Sequence, residues 1–196
     1  SIYTDKKQMK NLTLLEIYNN NWDGSIPGNN DKGSNHSYIE IYERLLSPYR
    51  DTNCKILEIG VAQGYSLRMW NQYFNKNSKV QGIDWEKGNL CDNTLDVTYG
   101  DSKDADLWTD WDNFDVIIDD GDHSPEGQAA TLAVWLPKLT KNGLYIIEDV
   151  SLYNLNMVAT DLGIVLQQIG CLNYVIDILD MRQIKQRNDN VLLVFS

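Results

Sequence analysis

The sequence contains few of the residues that cross-link a chain or anchor it in a membrane. Its 196 residues include three cysteines, Cys54, Cys91 and Cys171, an odd number without metal-site spacing. A chain of this length can bury a core without disulfides, so we expect buried, free thiols. No apolar run approaches the roughly 20 residues that span a bilayer, and no signal-peptide pattern opens the chain. These absences predict a cytoplasmic protein without a membrane segment.

Positive charge is also scarce in this chain. The 17 Lys and Arg residues face 28 Asp and Glu residues, which gives a formal net charge of -11. Nucleic acids and anionic membranes bind basic surfaces, so we expect neither as a partner. The 42% hydrophobic and 23% charged composition is that of one globular domain. The acidic excess leaves room for a bound cation or a neutral small molecule.

Apolar runs typical of buried strands alternate with helical stripes along most of the chain. This alternation predicts an α/β fold with a doubly wound, mostly parallel sheet. The last two strands are joined by about ten polar residues without an apolar stripe, so we expect them to pair as an antiparallel hairpin. The expected strands are 56–59, 80–84, 97–99, 114–120, 144–149, 174–179 and 191–195. The expected helices cover 36–50, 66–74, a stretch capped by Ser102, a stretch beginning at Ser124–Pro125, and 155–169.

Residues 1–50 form a separate N-terminal segment of helices and a loop, which we expect to act as a lid on residues 51–196. Thr13 and Glu16 have the spacing of a capping box, as have Ser37 and Glu40. The polar stretch 19–35 between them predicts a loop with Trp22 and Ile26 as its anchors. We expect this loop and the segment 85–94 to shape an acceptor pocket.

Acidic residues stand at the ends of several expected strands. In a doubly wound sheet these ends lie along one edge, where ligands bind, and the two glycines after the first strand allow close approach of a ligand. Each acid alone could be an ordinary turn residue. Several acids together repel one another unless something positive is bound. The residues concerned are Glu58, Gly60, Gly64, Asp84, Asp101, Asp119, Asp120, Glu148 and Asp149.

The spacing of Glu58, Gly60 and Gly64 resembles the first motif of the class I S-adenosylmethionine-dependent methyltransferases. That family has a Rossmann-like, seven-stranded sheet that closes with an antiparallel hairpin. The resemblance implies that Glu58 faces the methionine amino group, and that the glycines make room for it. It also implies that Asp84 binds the ribose and Asp101 the adenine amino group, with Asp119 on the cofactor side. A NAD-binding sheet would also need a ribose acid, but position 62 is alanine where the dinucleotide motif has glycine.

Three further stretches between residues 29 and 150 resemble the macrocin and mycinamicin type of sugar O-methyltransferase. They are Asn30–Gly33 with His36 and Tyr38, Ile117–His123, and Tyr145–Asp149. The resemblance implies an S-adenosylmethionine-dependent and Mg²⁺-dependent O-methyltransferase that acts on a sugar-like hydroxyl. Asp122 stands where the family usually has serine, which weakens the assignment of the substrate.

The same resemblance assigns roles to the residues of these stretches. Asp120, Glu148 and Asp149 would bind Mg²⁺, a hard cation that prefers carboxylate and water oxygens. His123 would be the base, since an imidazole suits proton transfer near neutral pH. His36 and Tyr38 would close over the cofactor.

Several alternatives stay open from the sequence. His123 could cap the helix that begins near Ser124. The enzyme could be a metal-independent methyltransferase of small molecules, or the chain could be a catalytically silent partner that binds S-adenosylmethionine. A homo-oligomer is also open, because the N-terminal segment could exchange between subunits.

Overall fold

The computed structural model describes residues 12–20, 30–151, 155–171 and 173–196. The expected anchors Trp22 and Ile26 lie outside the described residues. Within these ranges, no helix combines the length and the apolar character that crossing a membrane requires.

A seven-stranded mixed sheet forms the centre of the fold. Its strands lie in the order β3-β2-β1-β4-β5-β7-β6. The first five strands pair in parallel, whereas β7 pairs antiparallel with both β5 and β6. The doubly wound fold with a terminal hairpin is therefore confirmed. The strands are β1 (Lys55–Ile59), β2 (Lys79–Asp84), β3 (Val97–Tyr99), β4 (Phe114–Asp119), β5 (Leu139–Ile147), β6 (Ile176–Asp180) and β7 (Val191–Phe195).

Helices cover both faces of the sheet, as the apolar stripes predict. The capping box of Thr13 and Glu16 is confirmed, since each side chain accepts a hydrogen bond from the other residue's backbone N–H. Ser124 caps the helix that begins at Pro125. The helices are α1 (Leu14–Asn20), α2 (Asp31–Ser34), α3 (Ile39–Leu46), α4 (Tyr65–Tyr73), α5 (Pro125–Trp135), α6 (Leu155–Gln168) and α7 (Arg182–Lys185), with a 3₁₀ turn at Leu136–Lys138.

The hydrophobic core has two layers, one on each side of the sheet. Alternate side chains of a strand point to opposite faces, so Ile56 packs in one layer and Leu57 in the other. Trp70 on α4 belongs to the first layer, and Trp135 on α5 belongs to the second. Two-sided burial explains why the central strands are apolar throughout.

Two local expectations are wrong. Residues 102–111 form turns instead of a helix, because the side chains of Asp101 and Asp104 accept hydrogen bonds from backbone N–H groups two residues later. Helix α3 begins at Ile39 without a side-chain cap, so Ser37 and Glu40 do not form a capping box. The N–H of Ser37 is instead held by the side chain of Asn190, a contact between distant parts of the chain.

The three cysteines are free, as expected, but their burial differs. Cys54 is buried, whereas Cys91 and Cys171 are partly exposed. The expectation of three buried thiols is therefore correct for Cys54 alone.

Candidate active site

The turn after β1 is shaped by backbone conformations that favour glycine. Gly60 and Gly64 have φ angles of 85° and 81°, and Ala62 has a φ of 48°. A Cβ atom on Gly60 would lie 2.2 Å from the backbone oxygen of Asp120. Asp84 holds the turn, since its Oδ2 accepts hydrogen bonds from the N–H groups of Val61 at 2.9 Å and Ala62 at 2.8 Å.

A cavity of about 710 Å³ opens beside this turn, at the carboxyl edge of the parallel strands. Such a volume lies within the range of about 300–1,000 Å³ that small-molecule sites occupy. Its lining includes Gly60, Gly64, Asp84, Asp101, Asp120 and His123. Six of the expected site residues therefore share one cavity.

Two acids expected on the cofactor side, Glu58 and Asp119, are buried and do not belong to the lining of the cavity. Glu58 is fully buried, and its Oε1 accepts hydrogen bonds from Ser66 Oγ at 2.6 Å and Trp70 Nε1 at 3.3 Å. Asp119 points to the opposite face of the sheet, where its Oδ2 accepts from the Tyr145 hydroxyl at 3.1 Å. Burial raises the pKa of Asp119 to about 7. The alternation of side chains along β1 and β4 is the physical reason for these positions, and the cofactor roles expected of both acids stay predictions.

His36 and Tyr38 both lie beside Asp149. The Tyr38 hydroxyl donates to Asp149 Oδ1 at 2.7 Å, and His36 Nδ1 lies 3.4 Å from the same oxygen. The two rings stack with centroids 4.7 Å apart. Neither residue belongs to the lining of the 710 Å³ cavity. They contact Asp149, and the expectation that they close over the cofactor stays a prediction.

Asp149 itself has a backbone conformation that is unusual for a residue with a side chain. Its φ is 56°, in the left-handed region. The hydrogen bond from its own N–H to the Tyr38 hydroxyl, at 3.3 Å, helps to hold this conformation. Strain of this kind is often found at functional sites, where the surrounding structure maintains it.

A buried lysine, Lys32, joins three of the acids. Its side chain is 1% exposed, and its Nζ lies 2.7 Å from Asp120 Oδ2, 2.7 Å from Glu148 Oε1 and 3.5 Å from Glu58 Oε1. Burial alone would lower the pKa of Lys32, but the three carboxylates raise it well above its usual value. Sequence reasoning assigned no role to Lys32, although it stands inside the motif Asn30–Gly33.

The expected metal ligands are only partly brought together. Asp120, His123 and Asp149 each offer a ligand atom, and these atoms lie within 4.8 Å of one another. Glu148 Oε1 is instead bound by Lys32 and by the hydroxyl of Tyr42. Two carboxylates beside open space fit a small divalent cation that keeps several water ligands. A second group within the same distance limit consists of Asp31, His36 and Asp149.

His123 stands at the mouth of the site, with its side chain 48% exposed and its Nε2 3.9 Å from Asp120 Oδ1. The first turn of α5 is capped by Ser124, whose Oγ accepts from the N–H of Gly127 at 3.0 Å. Among the described contacts, the cap of α5 is Ser124 and not His123, so the alternative role of His123 as a cap is wrong. The imidazole is free to face a ligand.

Comparisons with known proteins identify similar sequences and one similar fold. Residues 57–150 match the family model described as a methyltransferase domain. The chain is 33% identical over 131 residues to 8-demethyl-8-alpha-L-rhamnosyl tetracenomycin-C 2'-O-methyltransferase of Streptomyces olivaceus, which covers 61% of this chain and 34% of that protein. It is 32% identical over 129 residues to demethylmacrocin O-methyltransferase of Streptomyces fradiae, which covers 60% of this chain and 32% of that protein.

A solved structure has the same fold. The MycE methyltransferase from the mycinamycin biosynthetic pathway, in complex with Mg and SAH, superposes with a TM-score of 0.68 at 21% identity, covering 94% of this chain and 54% of that one. The chain spans about a third of the length of these two curated relatives, 34% and 32%.

Proposed function

We propose that this chain is a class I S-adenosylmethionine-dependent O-methyltransferase that acts on a sugar hydroxyl of a glycosylated small molecule. The observation that carries the proposal is the meeting of two features at one edge of the sheet. The 710 Å³ cavity beside the glycine turn and the group Asp120, His123 and Asp149 have Asp120 and His123 in common. The named relatives, which methylate rhamnosyl tetracenomycin C and demethylmacrocin, support the substrate class.

Residues of the cavity would hold the methyl donor. Gly60 and Gly64 leave room for its backbone approach, and Asp84 would accept hydrogen bonds from the ribose hydroxyls. Asp101, which is exposed at the rim, would accept from the adenine amino group. Glu58 would act from beneath, as a buried negative charge under the turn.

The residues at the mouth would carry out the transfer. S-adenosylmethionine supplies an electrophilic methyl group, and Mg²⁺ supplies positive charge that favours a deprotonated hydroxyl. Asp120 and Asp149 would hold the cation, with Glu148 beneath them. His123 would accept the proton of the acceptor hydroxyl. The oxygen forms a bond to the methyl carbon as the carbon–sulfur bond breaks, which leaves a methyl ether, S-adenosylhomocysteine and a proton on His123.

The proposal also covers the N-terminal lid, the location of the protein and its partners. Residues 1–50 would act as a lid, which the contacts of Lys32 with Asp120 and Glu148 support. The net charge of -11 supports a protein without a nucleic-acid partner, and we propose a cytoplasmic location. Light scattering after gel filtration would decide between a monomer and a homo-oligomer.

The test begins with calorimetric titration by S-adenosylmethionine. Binding is expected, and its absence at millimolar ligand would exclude the proposal. Release of S-adenosylhomocysteine is then measured with MgCl₂ and methyl α-L-rhamnopyranoside. Asp120→Asn should abolish this release with cofactor affinity nearly unchanged, while the exposed Asp177→Asn serves as a control with normal release.

Two outcomes would select the alternatives. Full activity in the presence of a chelator would favour a metal-independent methyltransferase. Cofactor binding without transfer to any glycoside would favour a silent partner protein. Unchanged turnover of His123→Ala would remove His123 as the base.

A further inference from the structure

A second hollow adjoins the site at His123. Its volume is about 480 Å³, and it is formed by the end of β5 and the connection between β6 and β7. His123 is the residue that the linings of the two cavities have in common. Two ligands, one bound in each cavity, would therefore both lie beside the imidazole of His123. The lining consists of His123, Asp149, Ser151, Arg187, Asn188 and Asp189.

We propose that this hollow is the acceptor subsite, and that it takes an uncharged, polyhydroxylated ring such as a deoxyhexose, with Arg187 as the residue that determines specificity. This inference rests on the function proposed above, since it concerns the second substrate of the same reaction. It places the acceptor on the connection 181–190.

The wall of the hollow is held at a fixed spacing from Asp149. The Tyr38 hydroxyl donates to Asp149 Oδ1 at 2.7 Å and lies 3.1 Å from the backbone oxygen of Asp189. The fully buried Asn190 joins the two ends of the connection 181–190, because its Nδ2 donates to the backbone oxygen of Met181 at 2.8 Å. A loop tied on both sides in this way is preorganised, which lowers the entropic cost of binding.

The chemistry of the lining favours hydroxyl groups. Arg187 donates from Nε and Nη2 to the two carboxylate oxygens of Asp189, at 3.0 Å and 2.8 Å. A guanidinium has five N–H groups, so three remain for a ligand. Both side chains are partly exposed, at 40% and 36%. A sugar hydroxyl can accept from Arg187 and donate to Asp149 or Asp189.

The charge and polarity of the lining also exclude some ligands. Two carboxylates face one guanidinium, so the side chains of the lining supply no excess of positive charge for a phosphorylated or carboxylated acceptor. No large apolar side chain is among the six described lining residues. The hollow therefore suits the sugar and not an apolar aglycone.

This placement differs from the expectation that the loop 19–35 and the segment 85–94 shape the acceptor pocket. Asn30, Asp31 and Trp85, which belong to those segments, line the 710 Å³ cavity instead. The connection 181–190 was expected only as a polar link. Its role depends on tertiary contacts that local sequence patterns do not reveal.

The experiment uses the whole chain, saturated with S-adenosylhomocysteine and MgCl₂, and methyl α-L-rhamnopyranoside as the probe in saturation-transfer NMR. Asn188→Trp fills the hollow and should abolish the probe signal. Arg187→Ala should raise the dissociation constant of the probe by about tenfold, the effect of one lost charge-assisted hydrogen bond. Gln183→Trp lies on the same connection but outside the lining, and it should bind the probe as the parent chain does.

The affinity for S-adenosylhomocysteine is measured for each variant by calorimetry and should stay within about twofold, because Gln183, Arg187 and Asn188 do not belong to the lining of the 710 Å³ cavity. Probe binding that Asn188→Trp and Arg187→Ala leave unchanged would place the acceptor elsewhere and overturn the inference. Absence of probe binding to the parent complex would also overturn it. Failure to bind S-adenosylhomocysteine would instead refute the proposed function.

Discussion

At the scale of single residues, Lys32 forms ion pairs with three acids of the site. Glu58 lies in β1, while Asp120 and Glu148 directly follow β4 and β5. The mutual repulsion of these three acids would be costly in a region excluded from water. Lys32 offsets this repulsion, because its Nζ lies within 3.5 Å of an oxygen of each acid. It also binds Asp120 through Oδ2, while Oδ1 is the oxygen nearer to His123.

Lys32→Met is therefore expected to destabilise the chain by about 3–5 kcal/mol, the usual cost of leaving buried charges without their partner. Urea unfolding followed by circular dichroism measures this change. Lys79→Met removes the same charge from an exposed position at the start of β2 and should alter stability by less than about 0.5 kcal/mol. Equal stabilities of the two variants would contradict a structural role for Lys32.

Asp119 makes the stability of the chain depend on pH. Burial raises its pKa in the folded state to about 7, while the unfolded value is about 3.9. Between these values the folded state keeps a proton that the unfolded state has lost, so stability falls as pH rises through this window.

Asp119→Asn should remove this dependence, because a neutral amide can keep the contacts with Tyr145 and the Gly121 N–H. The difference in melting temperature, variant minus parent, should grow from pH 5 to about pH 7 and then level off. Differential scanning calorimetry across this range is the measurement. A constant difference would show that Asp119 does not titrate in this range.

The roles of single residues could be predicted from the sequence only where they depend on local position. Asp84 and Asp120 end strands, so their place at the ligand edge follows from the alternation of strands and helices. Lys32 bonds to residues 88 and 116 positions away, and no local pattern contains that information. The opposite directions of Glu58 and Asp119 depend on the register of two paired strands, in which Ile59 lies opposite Asp119.

At the scale of elements, the turn between β1 and α4 places an unusual backbone conformation at the edge of the sheet where the cavity opens. Gly60→Ala should destabilise the chain by more than 1 kcal/mol and weaken binding of S-adenosylhomocysteine, because φ is 85° and the new Cβ would meet the Asp120 backbone. Gly163→Ala is the matched control. A Cβ there has no atom within 4 Å, and the helix α6 should gain up to about 1 kcal/mol. Thermal melts and calorimetric titration of both variants test the pair, and similar behaviour of the two would contradict the role of the turn.

Most elements follow from the hydrophobic pattern of the sequence, and the exceptions have local causes. The expected strands 97–99 and 191–195 agree with the structure at both ends, since each is a short apolar run bounded by turn residues. Residues 102–111 contain a helical spacing of Leu107, Trp108 and Trp111, yet the side chains of Asp101 and Asp104 hold the backbone in turns. Competition between aspartate side chains and the helix decided the outcome there.

For the molecule as a whole, the site unites two segments that lie far apart in the sequence. The segment 30–38 contributes Lys32 and Tyr38, and the connection between β6 and β7 lies against it. Lys185 on that connection donates to the backbone oxygens of Gly33, Ser34 and His36, at 2.5 Å, 2.9 Å and 2.7 Å. These three carbonyls lie at the end of α2 and just beyond it, where helix carbonyls lack partners within the helix.

Lys185→Met should therefore lower the local stability of residues 31–38 and of residues 181–190. Loss of the charge-assisted hydrogen bonds removes about 1–3 kcal/mol of local stabilisation, which predicts at least fivefold faster amide hydrogen exchange in peptides that cover residues 31–38 and 181–190. Arg182→Met, on the same short helix, removes a charge that pairs with Asp180 two residues away and should leave residues 31–38 unchanged. Faster exchange in 181–190 alone would mean that the N-terminal segment is held independently by Lys32 and Tyr38. Faster exchange in both segments, together with slower methyl transfer at unchanged cofactor affinity, would have a different meaning. The β6–β7 connection would then hold Asp149 and the acceptor hollow in the correct position relative to the 710 Å³ cavity.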